Sequence, residues 1–126
     1  MSNDTSAGIH VETTRMDIHD LVALLNSHLG ATLVAILADV RDSKFRYRWA
    51  KEDGPTPGIE SEKRLIMAYR VWRVLESAES SHVARNWFIG CNPLLGEESP
   101  IMALRDGRLS GVISAAEAFL EGAWQA

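Results

Sequence analysis

With a single cysteine, Cys91, the chain can form no internal disulfide, so its fold rests on packing and a reducing compartment suits it. Long hydrophobic runs are missing as well. The longest, Leu33 to Ala38, falls far short of the roughly 18 apolar residues that a membrane span needs. Met1 to Thr14 has neither the basic start nor the apolar core of a secretory leader. These absences predict a soluble, cytoplasmic protein with no membrane partner. No stretch alternates apolar and polar residues in the manner of a half-buried strand, and no internal repeat is evident.

The usual signatures of catalysis are absent too. No HExxH, GxSxG or glycine-rich phosphate loop occurs. His10, His19, His28 and His82 show no metal-ligand spacing, and each reads as a surface or helix-end histidine. Cys91 adjoins Asn92-Pro93 with no assignable acid–base partner, so a small buried or half-buried thiol is a better reading than a nucleophile. No enzyme, metal or cofactor is expected.

What is present is ordinary globular material: 126 residues, 46% hydrophobic and 24% charged. That suffices for one compact domain or two small helical units sharing a core. Residues 1–14, poor in large apolar groups, are expected to form a disordered tail. Thr14 and Asp17 have capping-box spacing before Ile18, Leu21, Val22, Leu25 and Leu29, which recur at helical intervals up to a stop at Gly30. Thr32 is placed to cap a second short helix bearing Leu33, Ile36 and Leu37, and Ser43 a third that runs to about Lys51. Asp53 to Gly58 holds two prolines and two glycines and reads as a loop. The longest helix is predicted from about Glu60 to Ser77, apolar around most of its circumference and so buried on several sides. It reads as a central rod between two bundles, and a contact between copies is one use for it. A further helix is predicted from Ser81 to Ile89, followed by a turn at Cys91-Asn92-Pro93. Ser99-Pro100 opens a short helix that Gly107 stops, and a last helix carries Leu109, Val112, Ile113, Ala116 and Leu120 to an end at Gly122. The class is all-α.

Charge is unevenly spread. Overall it is −4, yet Arg41 to Lys51 holds five cations (Arg41, Lys44, Arg46, Arg48, Lys51) against Asp42 alone. Glu97 to Ala126 reverses this, with Arg105 and Arg108 against Glu97, Glu98, Asp106, Glu117 and Glu121. Such asymmetry fits an anionic partner at one end and a different partner at the other. On a helical wheel Lys44, Arg48 and Lys51 form one stripe beside Tyr47, with Phe45 and Trp49 on the adjoining apolar edge. A recognition helix of a helix-turn-helix unit has this make-up, and Arg41, Ser43, Lys44, Tyr47, Arg48 and Lys51 are its candidate DNA contacts. A solvated surface helix packing a tryptophan accounts for the same pattern, and the flanking Asp39, Asp42, Glu52 and Asp53 would repel phosphate.

In the second half, apolar pairs gather around turns: Trp87-Phe88, Leu94-Leu95 and Ile101-Met102, with Trp124 close behind Gly122. Tryptophan is the residue type most favoured at binding hot spots. The stretch from Glu62 through Trp87, then Asn92 to Gly122, resembles the toxin-binding domain of Xre/MbcA/ParS antitoxins. The matching pieces are Asn92-Pro93-Leu94-Leu95, Ser99-Pro100 to Arg105-Asp106-Gly107, and the amphipathic run Val112 to Gly122. They cover about half the chain, in the family's order and spacing. The N-terminal part, with Arg48-Trp49 in its third helix, is more weakly similar to the Xre-type bundle that precedes this domain.

The resemblance implies a division into residues 15–59, a helix-turn-helix bundle, and 60–126, a toxin-binding domain sharing the central helix. It implies a RES-domain toxin as partner, an enzyme that consumes NAD by ADP-ribosyl or phosphorolytic chemistry, in a homodimer or a hetero-oligomer with the toxin. It further implies that the antitoxin's last helix and tail cover the NAD pocket and that its N-terminal domain represses its own operator. By position the toxin contacts would be Trp87, Asn92, Pro93, Leu94, Arg105, Glu121, Gly122, Ala123, Trp124, Gln125 and Ala126. A stand-alone helix-turn-helix regulator of phage or mobile-element type is the competing reading.

Overall fold

A computed structural model describes residues 16–39, 50–51 and 57–125. Among these residues there are six α-helices and no strand, only an isolated bridge between Asn92 and Glu98. The helices are α1 (Ile18–Leu29), α2 (Ala31–Ala38), α3 (Ile59–Ala78), α4 (Ser81–Ile89), α5 (Pro100–Arg105) and α6 (Leu109–Gln125). A 3-10 turn, Pro93–Leu95, lies between α4 and α5. Thr14 and the candidate DNA contacts Arg41, Ser43, Lys44, Tyr47 and Arg48 lie outside the described residues, as does the expected tail over residues 1–14.

Asp17 caps α1, its carboxylate accepting the His19 backbone N–H at 2.7 Å. A short acidic side chain with an extended backbone meets the orphan amides of a first turn. Gly30 ends α1 at φ 88°, a conformation that costs a residue without Cβ little. The reversal is so tight that α2 begins at Ala31, and Thr32, expected as its cap, sits within the helix. Ser80 caps α4 by accepting from Val83 N, and Ser99 caps α5 by accepting from Met102 N, with Pro100 at the first helical position. Gly107 turns the chain at φ 83° before α6. Gly122, expected to stop α6, does not: the helix continues to Gln125.

Every other described helix packs against α3. Its Leu65, Ala68, Tyr69, Val71, Trp72 and Leu75 are buried, and Ile66 and Met67 pack at the margin of the same core. That core is a single cluster, running from Leu21, Val22 and Leu25 of α1 to Val112, Ala115 and Ala116 of α6. Burial of so many aliphatic and aromatic side chains, at roughly 1.5–3 kcal/mol each, is what opposes the entropy of ordering the chain.

The end of α2 is clamped from two sides. Arg64 of α3 donates from Nε to the Leu37 carbonyl at 2.8 Å and from Nη2 to the Ala38 carbonyl at 3.1 Å. Ser61 Oγ donates to the same Ala38 oxygen at 2.9 Å. These bonds satisfy carbonyls that a helix C-terminus leaves open, and the cation suits the negative end of the helix dipole. Asp39 then turns left-handed at φ 57°, and its carboxylate accepts from Arg105 Nε at 2.9 Å.

Two side chains depart from expectation in burial. His19 is only 7% exposed, although it stands at a helix start. Cys91, expected buried or half-buried, is exposed, in the turn that follows the Gly90 end of α4. No helix among the described residues is long and apolar enough to cross a membrane.

Candidate functional site

The Asn92 turn is built by one side chain and a set of backbone bonds. Asn92 Oδ1 accepts from Leu94 N at 3.0 Å, while the Asn92 carbonyl accepts from Leu95 N and Glu97 N, both at 2.9 Å. Asn92 N donates to the Glu98 carbonyl at 3.1 Å and closes the loop. An aspartate or asparagine that mimics a backbone turn in this way is the reason such residues precede tight turns. Leu95 points inward, 1% exposed, with its Cδ2 over Gly111 of α6. Its neighbour Leu94 is left 65% exposed on the outside. Arg108 Nη1 pairs with Glu98 Oε2 at 3.0 Å and ties the end of the turn to the start of α6.

Beside this turn an apolar groove of about 660 Å³ runs between α4 and α6. Val83, Asn86, Trp87 and Gly90 line it from α4, Ala115, Ala118 and Phe119 from α6, and Cys91 to Leu94 close one end. Trp87 and Phe119 meet across it with ring centroids 6.4 Å apart, and Trp87 also stands edge-on to buried Phe88 at 5.3 Å. Trp87 is 9% exposed, and its indole N–H has no acceptor among the described residues. None of the lining residues carries a charge. A concave apolar surface with an exposed leucine at its mouth is suited to docking a protein segment; it holds no acid–base pair.

The toxin contacts implied by the resemblance divide accordingly. Trp87, Asn92, Pro93 and Leu94 share the groove. Glu121 and Gly122 are exposed on α6, Gly122 four residues past Ala118 on the groove side. The backbone of Ala123, Trp124 and Gln125 is helical rather than a tail, and Ala126 lies outside the described residues. Arg105 is elsewhere, at the end of α5 and engaged by Asp39. Of the DNA set only Lys51 is described, and it is exposed.

Sequence reasoning missed Phe119, half of the aromatic floor, although its spacing of seven from Val112 and three from Ala116 places it on the buried face. It missed the Arg64 clamp as well, for which the local pattern gives no signal. Among the described residues no group of three or more His, Cys, Asp or Glu side chains is placed to hold a metal ion. Protein-family models, curated proteins and solved structures were all compared with the chain. None of the three comparisons finds a match.

Proposed function

We propose that this chain is the antitoxin of a toxin–antitoxin pair, and that it binds and silences a RES-type, NAD-consuming toxin through its C-terminal helices. One observation carries the reading: the stretch that resembles the Xre/MbcA/ParS toxin-binding domain builds an uncharged groove, with Leu94 65% exposed at its mouth. An apolar side chain left outside by a turn so fully hydrogen-bonded has no role in the core and is available to a partner. The occluding element is then the helical end of α6, Glu121 to Gln125, with Ala126 after it, presented as a rigid rod toward the toxin's NAD pocket. A rigid element loses less entropy on binding than a loose tail. Operator binding by the segment from Arg41 to Lys51 belongs to the same proposal, and with it a cytoplasmic location.

The test is neutralisation of a RES-domain toxin encoded beside this chain, read as growth on co-expression and as NAD consumption by the purified pair. Wild type should restore growth and stop NAD loss. Deleting Ala123 to Ala126 should release NAD consumption while Tm of the free antitoxin stays within a few degrees, since only the last turn is lost. Full neutralisation by Leu94→Asp and by the deletion alike would reject the reading.

A further inference from the structure

We infer that the groove between α4 and α6 takes a basic amphipathic helix from its partner, an inference that rests on the antitoxin reading and names the chemistry of the toxin element that docks. The groove itself is neutral and apolar, so what distinguishes one apolar segment from another is its margin. That margin is acidic. Glu121 follows Ala118 by three residues, which sets it about 60° outside the groove edge on α6, whereas Glu117 stands on the solvent face away from the groove. Glu97 is exposed in the turn three residues after Leu94 at the groove end. Neither Glu121 nor Glu97 has an ion-pair partner among the described residues, and α6 holds no lysine, arginine or histidine.

Facing them, α4 carries only His82 and Arg85 as possible cations. The Arg85 guanidinium is turned toward α1, close enough to Gly30 that a Cβ there would lie 3.9 Å from Nη2. An occupant with an apolar stripe flanked by lysine or arginine buries its stripe on Trp87 and Phe119 and meets unpaired carboxylates at the edge. A second copy of this chain would instead set Glu97 and Glu121 against like carboxylates, and an anionic membrane surface would be repelled in the same way. The wall offered by α4, nine residues long, spans about two and a half turns, a suitable length for a docked helix.

Cys91 lines the groove, is exposed and is the chain's one thiol, so its alkylation rate reports occupancy. The full-length protein is alkylated with a maleimide in the presence of a synthetic amphipathic helix of about three turns. One version has leucine on one face and lysine elsewhere; the other has glutamate in place of lysine. The lysine peptide should slow the reaction about fivefold or more at low salt, with the protection fading as ionic strength rises, and the glutamate peptide should have no effect. The double substitution Glu97→Lys with Glu121→Lys should exchange the two peptides' effects, and Leu94→Asp should abolish protection by the lysine peptide. Equal protection by both peptides, protection by neither, or a self-associated protein whose Cys91 is shielded without peptide would each overturn the inference. If Leu94→Asp abolishes toxin neutralisation while neither peptide protects, the inference fails and the antitoxin reading stands. If the lysine peptide protects while the neighbouring toxin is not neutralised, the antitoxin reading fails and the groove keeps its charge preference.

Discussion

Trp72 tests whether the two halves share one core. It is 1% exposed on α3, and its indole stacks on His28 of α1 at 4.8 Å between centroids with the rings 18° from parallel. Its Nε1–H is buried with no acceptor among the described residues. Trp72→Ala removes the largest fully buried side chain among the described residues, and truncations of this kind cost about 3–5 kcal/mol. The orphan N–H already burdens the native state by roughly 1–3 kcal/mol, and its removal offsets part of that loss. The net figure falls near the lower bound, about 3 kcal/mol, or a fall in Tm on the order of 10 °C. Trp72→Phe keeps an aromatic face for His28 and discards the orphan donor, so its cost should stay under about 1.5 kcal/mol. Thermal and urea unfolding followed by circular dichroism measure both variants. A Tm for Trp72→Ala within two or so degrees of wild type would refute the burial argument, and a Phe variant as unstable as the Ala variant would refute the offset.

Arg64→Ala strips the Leu37 and Ala38 carbonyls of guanidinium donors and should cost about 1–3 kcal/mol by urea unfolding, with Arg64→Lys recovering only part because an ammonium lacks the planar fork. On the operator-binding proposal, changing Lys44, Arg48 and Lys51 together to alanine should abolish promoter binding in a mobility-shift assay yet leave toxin neutralisation intact. The wild-type affinity should fall with salt at a log–log slope of about −0.9 per phosphate neutralised. A triple variant that shifts promoter DNA as wild type does would remove this segment from the DNA interface.

The helices were legible wherever a cap and an apolar period coincided. Ser81–Ile89 was read to the residue, and Ile59–Ala78 within one residue at each end, because long periodic stretches between polar breaks leave little choice. Glycine was the ambiguous letter. Gly30 does stop α1 at positive φ, whereas Gly122 is carried inside α6. A helix tolerates an interior glycine at about 1 kcal/mol relative to alanine when the residues beyond it are adequate helix formers, and Ala123, Trp124 and Gln125 are. The Asn92 turn was visible from its residues, but the groove was not. It depends on where α4 and α6 stand relative to each other, which pairs of side chains 32 positions apart (Trp87 and Phe119) decide. The α2 clamp was hidden for the same reason: Arg64 finds its carbonyls 26 and 27 residues back along the chain.

The groove follows from how α4 and α6 are held beside α5. With six residues it is less than two turns long, yet both α4 and α6 pack on it as well as on α3. Two helices held through α3 and α5 rather than mainly through each other are not forced into contact along their length, and Trp87 and Phe119 reach across the gap. The chemistry of the site is thus layered by depth. Phe119 and Trp87 belong partly to the core, so changing either confounds docking with stability. Leu94, 65% exposed and held outward by the Asn92 turn, contributes almost nothing to that core. The ion pair between Arg105 and Asp39, exposed at 42% and 54% of its side chains, adds under about 1 kcal/mol and sits away from the groove. Leu94 therefore separates the two effects: a loss of neutralisation on Leu94→Asp at unchanged Tm can only be a loss of contact, whereas the same loss on Trp87→Ala would be expected from a loosened bundle with no partner at all.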